Sequence, residues 1–145
     1  MKLDNFKSFL GISYGDTIDK AIEVFGNPND EYRNEENHYC VYYYHFEKDD
    51  VLSISYNKEN NLIESMFLGQ RHTQSTLGWL RMKQIEDEKS SFLGLHIDEI
   101  IDVLGVPTEE EVNDFVYKGD KIEIDFNCPE ENDFFCQRIL LNWYF

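Results

Sequence analysis

The chain repeats itself. Residues 15–30 read GDTIDKAIEVFGNPND and residues 94–109 read GLHIDEIIDVLGVPTE. Offset by the distance from Gly15 to Gly94, the positions Ile18, Asp19, Ile22, Val24, Gly26 and Pro28 meet Ile97, Asp98, Ile101, Val103, Gly105 and Pro107. Glu23 against Asp102 and Phe25 against Leu104 keep the chemistry while changing the residue. Solenoid units repeat every 20–50 residues or so, and this offset is longer. It therefore reads as a duplication of half the chain, with residues 1–70 as one copy and 71–145 as the other, so one half's fold is expected of both.

Each copy spells out a helix. Ile18, Ala21, Ile22 and Phe25 fall at i, i+3, i+4 and i+7, as do Ile97, Ile100, Ile101 and Leu104, which places four apolar side chains on one stripe. Gly26 and Gly105 stand where a helix ends, and Pro28 and Pro107 forbid its continuation. Asp16 or Thr17 offers a side-chain oxygen as the first helix's N-cap. The second copy has Leu95 and His96 there, which predicts a start held by packing instead. Leu3, Phe6 and Leu10 are spaced for a short opening helix before Gly11, and Leu77 and Leu80 for its counterpart over 75–89, although Leu77 and Trp79 also permit a strand there, with 70–76 as the junction.

Strands follow each helix. His38 to Phe46, Val51 to Asn57 and Leu62 to Leu68 are expected in the first copy, and Asp114 to Lys118, Lys121 to Asn127 and Arg138 to Phe145 in the second. Leu52, Ile54 and Tyr56 alternate with Ser53, Ser55 and Asn57, as Ile122, Ile124 and Phe126 do with Glu123, Asp125 and Asn127. Such alternation buries one face of an antiparallel sheet and leaves the other open. Residues 29–37 read as a helix-to-strand connection and 128–137 as a long hairpin. The expected fold class is α+β: two tandem repeats, each a helix or helix pair followed by an antiparallel strand meander, building one sheet with helices on one face.

Composition narrows the partners. There are 29 Asp+Glu against 13 Lys+Arg, a formal net charge of −16, spread over both halves. A phosphate backbone needs clustered Lys/Arg, and no basic stripe exists, so nucleic acid is excluded and anionic membrane surfaces are disfavoured. No run approaches the ~20 apolar residues of a membrane helix. Aromatics at 15% argue for a packed core rather than a disordered acidic chain. The start, Met1-Lys2-Leu3-Asp4-Asn5, leads into no apolar signal segment, which points to the cytoplasm. Cys40, Cys128 and Cys136 are odd in number and show no metal spacing, so they read as small buried thiols.

No catalytic pattern emerges. His38, His45, His72 and His96 lie far apart, and there is no GxSxG, no Gly-rich phosphate loop and no HExxH. Asp120, Glu123 and Asp125 lack calcium-loop spacing. The expectation is a protein that is not an enzyme, with no cofactor and no metal.

The pattern Gly15-x-Thr17, Ala21, Phe25-Gly26-x-Pro28, followed by a strand meander and repeated in tandem, resembles the β-lactamase inhibitor proteins. It is similar also to the SmpA/OmlA-type outer-membrane assembly lipoproteins. The resemblance implies helices on one side of a continuous sheet whose other face binds protein. The chain departs from those families in lacking the lipid-anchoring Cys and the disulfide pattern, and at Leu95 and His96. By physical type alone, a small acidic binding protein is also similar to bacterial toxin-immunity proteins.

These strands of evidence lead to a non-catalytic protein-binding inhibitor, an immunity protein occluding a basic toxin domain. The alternatives are an assembly adaptor of the SmpA/OmlA kind, and a small enzyme or ligand-binding domain. Aromatics at an exposed sheet anchor partners at low entropic cost. Parity alone leaves open whether Tyr42 and Tyr44 or Tyr39 and Tyr43 face inward. The expected partner surface comprises Tyr42, Tyr44, Glu64, Glu123, Asp125 and Tyr144, with Asn142 on the same face and the acidic runs 109–111 and 130–133 at the rim.

Overall fold

The computed structural model describes residues 8–46, 50–69 and 92–145. In chain order these form β1 (Ser8–Phe9), β2 (Ile12–Ser13), α1 (Ile18–Phe25), β3 (Asp30–Asn34), β4 (Tyr39–Phe46), β5 (Asp50–Asn57) and β6 (Ile63–Gly69). Then come α2 (Ile97–Leu104), β7 (Glu109–Glu111), β8 (Asp114–Lys118), β9 (Ile122–Asn127), a 3₁₀ turn (Glu130–Asn132) and β10 (Arg138–Trp143). The fold is α+β, with two helices against an antiparallel sheet. Eight strands run in the order β3-β4-β5-β6-β10-β9-β8-β7. The last strand of each half thus meets the other at the centre, where Leu68 pairs Ile139 and Met66 pairs Leu141.

The register lines up two apolar rows across six strands. One runs Tyr44, Leu52, Leu68, Ile139, Phe126, Phe115, and the other Tyr42, Ile54, Met66, Leu141, Ile124, Tyr117. Leu52, Ile54, Met66, Leu68, Phe126, Ile139 and Leu141 are wholly buried. Both helices cover this face. Phe25 of α1 lies 5.4 Å from the Tyr44 ring. The Tyr44 hydroxyl donates to the Gly26 carbonyl at 3.0 Å, and Tyr117 donates to Gly105 at 2.7 Å. Burial pushes both phenols up to about 12, because an ionised phenolate there would lose its solvation.

The two helix starts are held alike by the backbone. Ile18 N–H donates to Asn61 and Ile63 N–H to the Asp16 carbonyl; Ile97 N–H donates to Phe134 and Cys136 N–H to the Leu95 carbonyl. Asn61 and Phe134 both take left-handed backbone, at φ 62° and 63°. Their side-chain caps reverse the expectation. Thr17 makes no capping bond, and Asp16 Oδ2 accepts from the Ser13 amide instead. His96 closes a capping box: its Nδ1 accepts from Asp98 N–H at 3.1 Å, and Glu99 Oε2 accepts from His96 N–H at 3.1 Å. Imidazole substitutes for the usual Ser or Thr oxygen because a neutral ring nitrogen accepts equally well.

Other corrections are local. No helix opens the described part of the first half. Leu10 and Gly11, at φ 53° and 86°, make a two-residue turn between β1 and β2, a geometry suited to a hairpin and foreign to a helix. The counterpart over 75–89 lies outside the described residues, as does the junction at 70–76. Residues 30–34 and 109–111 are edge strands rather than loop. All three cysteines are free and buried.

Candidate functional site

The open face of the sheet is built from the opposite parity. One row runs Tyr32, Val41, Ser55, Ser65, Asn142, Glu123, Lys118. The next runs Tyr43, Ser53, Phe67, Leu140, Asp125, Val116. At the end of the sheet where β5 finishes, β6 begins and β10 finishes, a groove of about 450 Å³ opens. Asn37, Ser55, Asn57, Glu64, Ser65 and Asn142 line it together with the aromatic residues Tyr39, Tyr56, Trp143 and Tyr144. Its volume falls in the range of small-ligand sites.

Glu64 owes its place to a β-bulge. Ser55 pairs Ser65, yet Tyr56 pairs Ile63, so Glu64 is the extra residue on β6. Ile63 and Met66 are both buried while Glu64 and Ser65 between them are half-buried, so both intervening side chains leave on the open face. Bulges commonly redirect a side chain in this way. Ser55, Glu64, Ser65 and Asn142 make no side-chain hydrogen bond or ion pair to any described residue. Glu123, by contrast, accepts a 2.5 Å hydrogen bond from the Tyr144 hydroxyl and lies 3.9 Å from Lys118 Nζ. That bond to a carboxylate raises the Tyr144 phenol above its ordinary value. Among the described residues no Lys, Arg or His lines the groove, and Lys58 is engaged by Glu35 at 2.7 Å.

Asp125 lies further along the open face, among acids. Burial, and then the neighbouring Asp114 and Glu123, push its carboxyl up from 3.8 to about 6. Its Oδ1 is buried without a hydrogen-bond partner, while Asp114 accepts from Asn127 Nδ2 at 2.8 Å. The folded chain therefore keeps this proton where the unfolded chain has released it. Stability should fall as pH rises from about 4 to about 6 and stay lower above that window. Asp125→Asn keeps the shape without the charge. It is expected to gain about 1 kcal/mol at pH 7, a figure already discounted for partial solvent exposure, and to flatten that limb. Urea midpoints measured across pH 4–8 check this; an unchanged slope would show that Asp125 is not the group responsible.

The structure therefore sorts the expected surface. Glu64 and Tyr144 line the groove, Glu123 adjoins it through Tyr144, and Asp125 shares the open face beyond it. Tyr42 and Tyr44 do not belong there. Tyr44 is 3% exposed beneath α1, and Tyr42 packs edge-on against Tyr56 at 5.2 Å, so neither reaches a partner on the open face. Tyr39 and Tyr43 carry the outward parity instead. The acidic run 109–111 forms the far edge strand, at the opposite border of the sheet from Tyr39. Ser55, Ser65 and Tyr39 went unassigned, although the alternation within Leu52 to Asn57 already placed Ser55 opposite the core.

No family model matches the chain, and no curated protein does. Its fold is similar to that of solved structures. A DUF4309 family protein, YjgB, from Bacillus subtilis superposes with a TM-score of 0.55 at 17% identity, over 92% of this chain and 82% of that one. A cysteine-rich secretory protein, SAV1118, from Staphylococcus aureus gives 0.61 at 12% identity, over 96% of this chain and 49% of that one. The chain thus spans about half of SAV1118. An extracellular protein containing an SCP domain from Bacillus anthracis gives 0.49 at 6% identity, over 98% and 45%.

Identities this low speak to fold, and they redirect the expectations. The chain's structural neighbours are a DUF4309 protein and a secretory protein, not β-lactamase inhibitors, SmpA/OmlA lipoproteins or toxin-immunity proteins. The inhibitor reading and its adaptor and ligand-domain alternatives rested on that resemblance, on charge, or on missing motifs, and they are withdrawn. The cytoplasmic placement is corrected as well, since a neighbour matched over 96% of this chain is a secretory protein.

Proposed function

We propose that the chain is a non-catalytic binding module that works outside the cytoplasm and engages a cationic segment of a partner protein through the open face of its sheet. The observation that carries this reading is segregation: both described helices cover one face, and the other keeps a groove whose lining, among the described residues, includes a carboxylate and no basic side chain. The net charge of −16 adds long-range attraction for such a segment. The extracytoplasmic setting is supported by the fold shared with SAV1118.

The halves are further read as tandem copies of one unit, divided after Gln70. In favour stand the mirrored strand order and the matched bonds of Tyr44 to Gly26 and Tyr117 to Gly105. On this reading the groove is shared, since β5 and β6 supply Ser55, Glu64 and Ser65 while β10 supplies Asn142.

The test is a titration of the ¹⁵N-labelled chain with a Lys/Gly decapeptide and, in parallel, a Glu/Gly decapeptide. Saturable shifts confined to open-face amides, weakened by salt and absent with the acidic peptide, are expected. No saturable response to the cationic peptide, or one centred on the helices, would overturn the reading.

A further inference from the structure

The groove beside the β6 bulge is more specific than a generally acidic face. Its polar lining is held in place by the sheet: Ser55 pairs Ser65, and Ser65 pairs Asn142, across three adjacent strands. Sheet pairing fixes these backbones, so their hydroxyls and amide converge without a loop having to order. Polar groups half-removed from water and unpaired carry a cost that a ligand can remove. Glu64 sets the sign of that ligand. Among the described residues it is the one carboxylate in the lining and has no ion-pair partner, and the bulge aims it onto the open face. Glu123 next to it is already occupied by Tyr144 and Lys118.

We infer that this groove receives the side-chain ammonium of a lysine on the partner, an inference that rests on the reading of the open face as a surface for a cationic protein segment. An ammonium is a compact charge with three donors. Those donors suit Glu64 together with the neutral acceptors of Asn142 and the two serines. The rings of Tyr39 and Tyr144, partly exposed in the lining, add faces toward which a cation is drawn. An anionic ligand would meet the uncompensated charge of Glu64.

The experiment uses the full chain and three probes: acetyl-Gly-Gly-Lys-Gly-Gly-amide, the same peptide with norleucine for lysine, and glucosamine. The lysine peptide is expected to shift the amides of Ser55, Glu64, Ser65 and Asn142 saturably, with the norleucine peptide at least tenfold weaker. Glu64→Gln should weaken the lysine peptide at least tenfold while leaving the rest of the amide spectrum in place. Equal response to lysine and norleucine, or an unaffected Glu64→Gln variant, would overturn the assignment. Glucosamine binding as well as the lysine peptide would overturn the peptide source in favour of an amino sugar. If the Lys/Gly decapeptide binds the open face elsewhere, the groove assignment fails alone. If it does not bind at all, the broader reading fails with it.

Discussion

Phe126→Ala is expected to lower folding stability by about 3–5 kcal/mol, the usual penalty for emptying a buried aromatic site. Phe126 is wholly buried on β9. Its ring meets Phe92 edge-on at 5.4 Å and Tyr117 edge-on at 5.8 Å. Across the ladder its row neighbours are Phe115 and Ile139, so no side chain is free to swing into the space. Domains of this size have about 5–15 kcal/mol in total, so the variant would give up a large share of its stability. Denaturant midpoints should drop accordingly, while Val106→Ala, at a largely exposed position, stays within about 0.5 kcal/mol of the parent. A loss below about 1 kcal/mol at Phe126 would mean that the β8–β9 part of the face is not packed as described.

The second large effect comes from two glycines. Gly26 and Gly105 end their helices at φ 82°, ψ −164° and φ 87°, ψ −165°, a region open almost only to glycine. A Cβ at either position would touch nothing within 4 Å, so substitution adds no clash and the cost is purely conformational. Gly26→Ala and Gly105→Ala should each lose about 1–3 kcal/mol. Their acceptor roles are separate, one for Tyr44 and one for Tyr117, so the double variant should lose about the sum, within roughly 0.5 kcal/mol. A double variant no worse than either single would show that the two helix ends are energetically coupled rather than independent.

How these elements showed in the sequence depends on what holds them. The helices and β5, β6, β9 and β10 were legible because each hides one face, and burial writes itself as periodicity. β3 and β7 were not: Asp30-Glu31-Tyr32-Arg33-Asn34 and Glu109-Glu110-Glu111 are edge strands, nearly all exposed, kept in place by ladder bonds that leave no hydropathy trace. The tyrosine run failed for another reason. Aromatic residues occupy both parities from Tyr39 to Tyr44, and only the reach of the Tyr44 hydroxyl to a helix-ending carbonyl decides which set is inside. At the candidate site, Glu64 was legible as an acid opposite apolar neighbours. The bulge that carries it onto the same side as Ser65 was not, because an extra residue in a strand looks the same as one more step of alternation.

The position of β10 has a kinetic consequence. It is the last strand in chain order, yet it lies in the middle of the sheet, joining β6 on one side and β9 on the other. On a ribosome, neither the β3–β6 edge nor the β9 edge can be sealed until residue 143 has emerged, and Leu68 and Met66 wait for partners, Ile139 and Leu141, that follow far along the chain. Contacts so distant along the chain slow folding, because loop-closure entropy is spent before the contacts repay it. The unsealed β6 edge is meanwhile a hydrogen-bonding template with an apolar face, so nascent or refolding chains at high concentration face their greatest hazard of mispairing there.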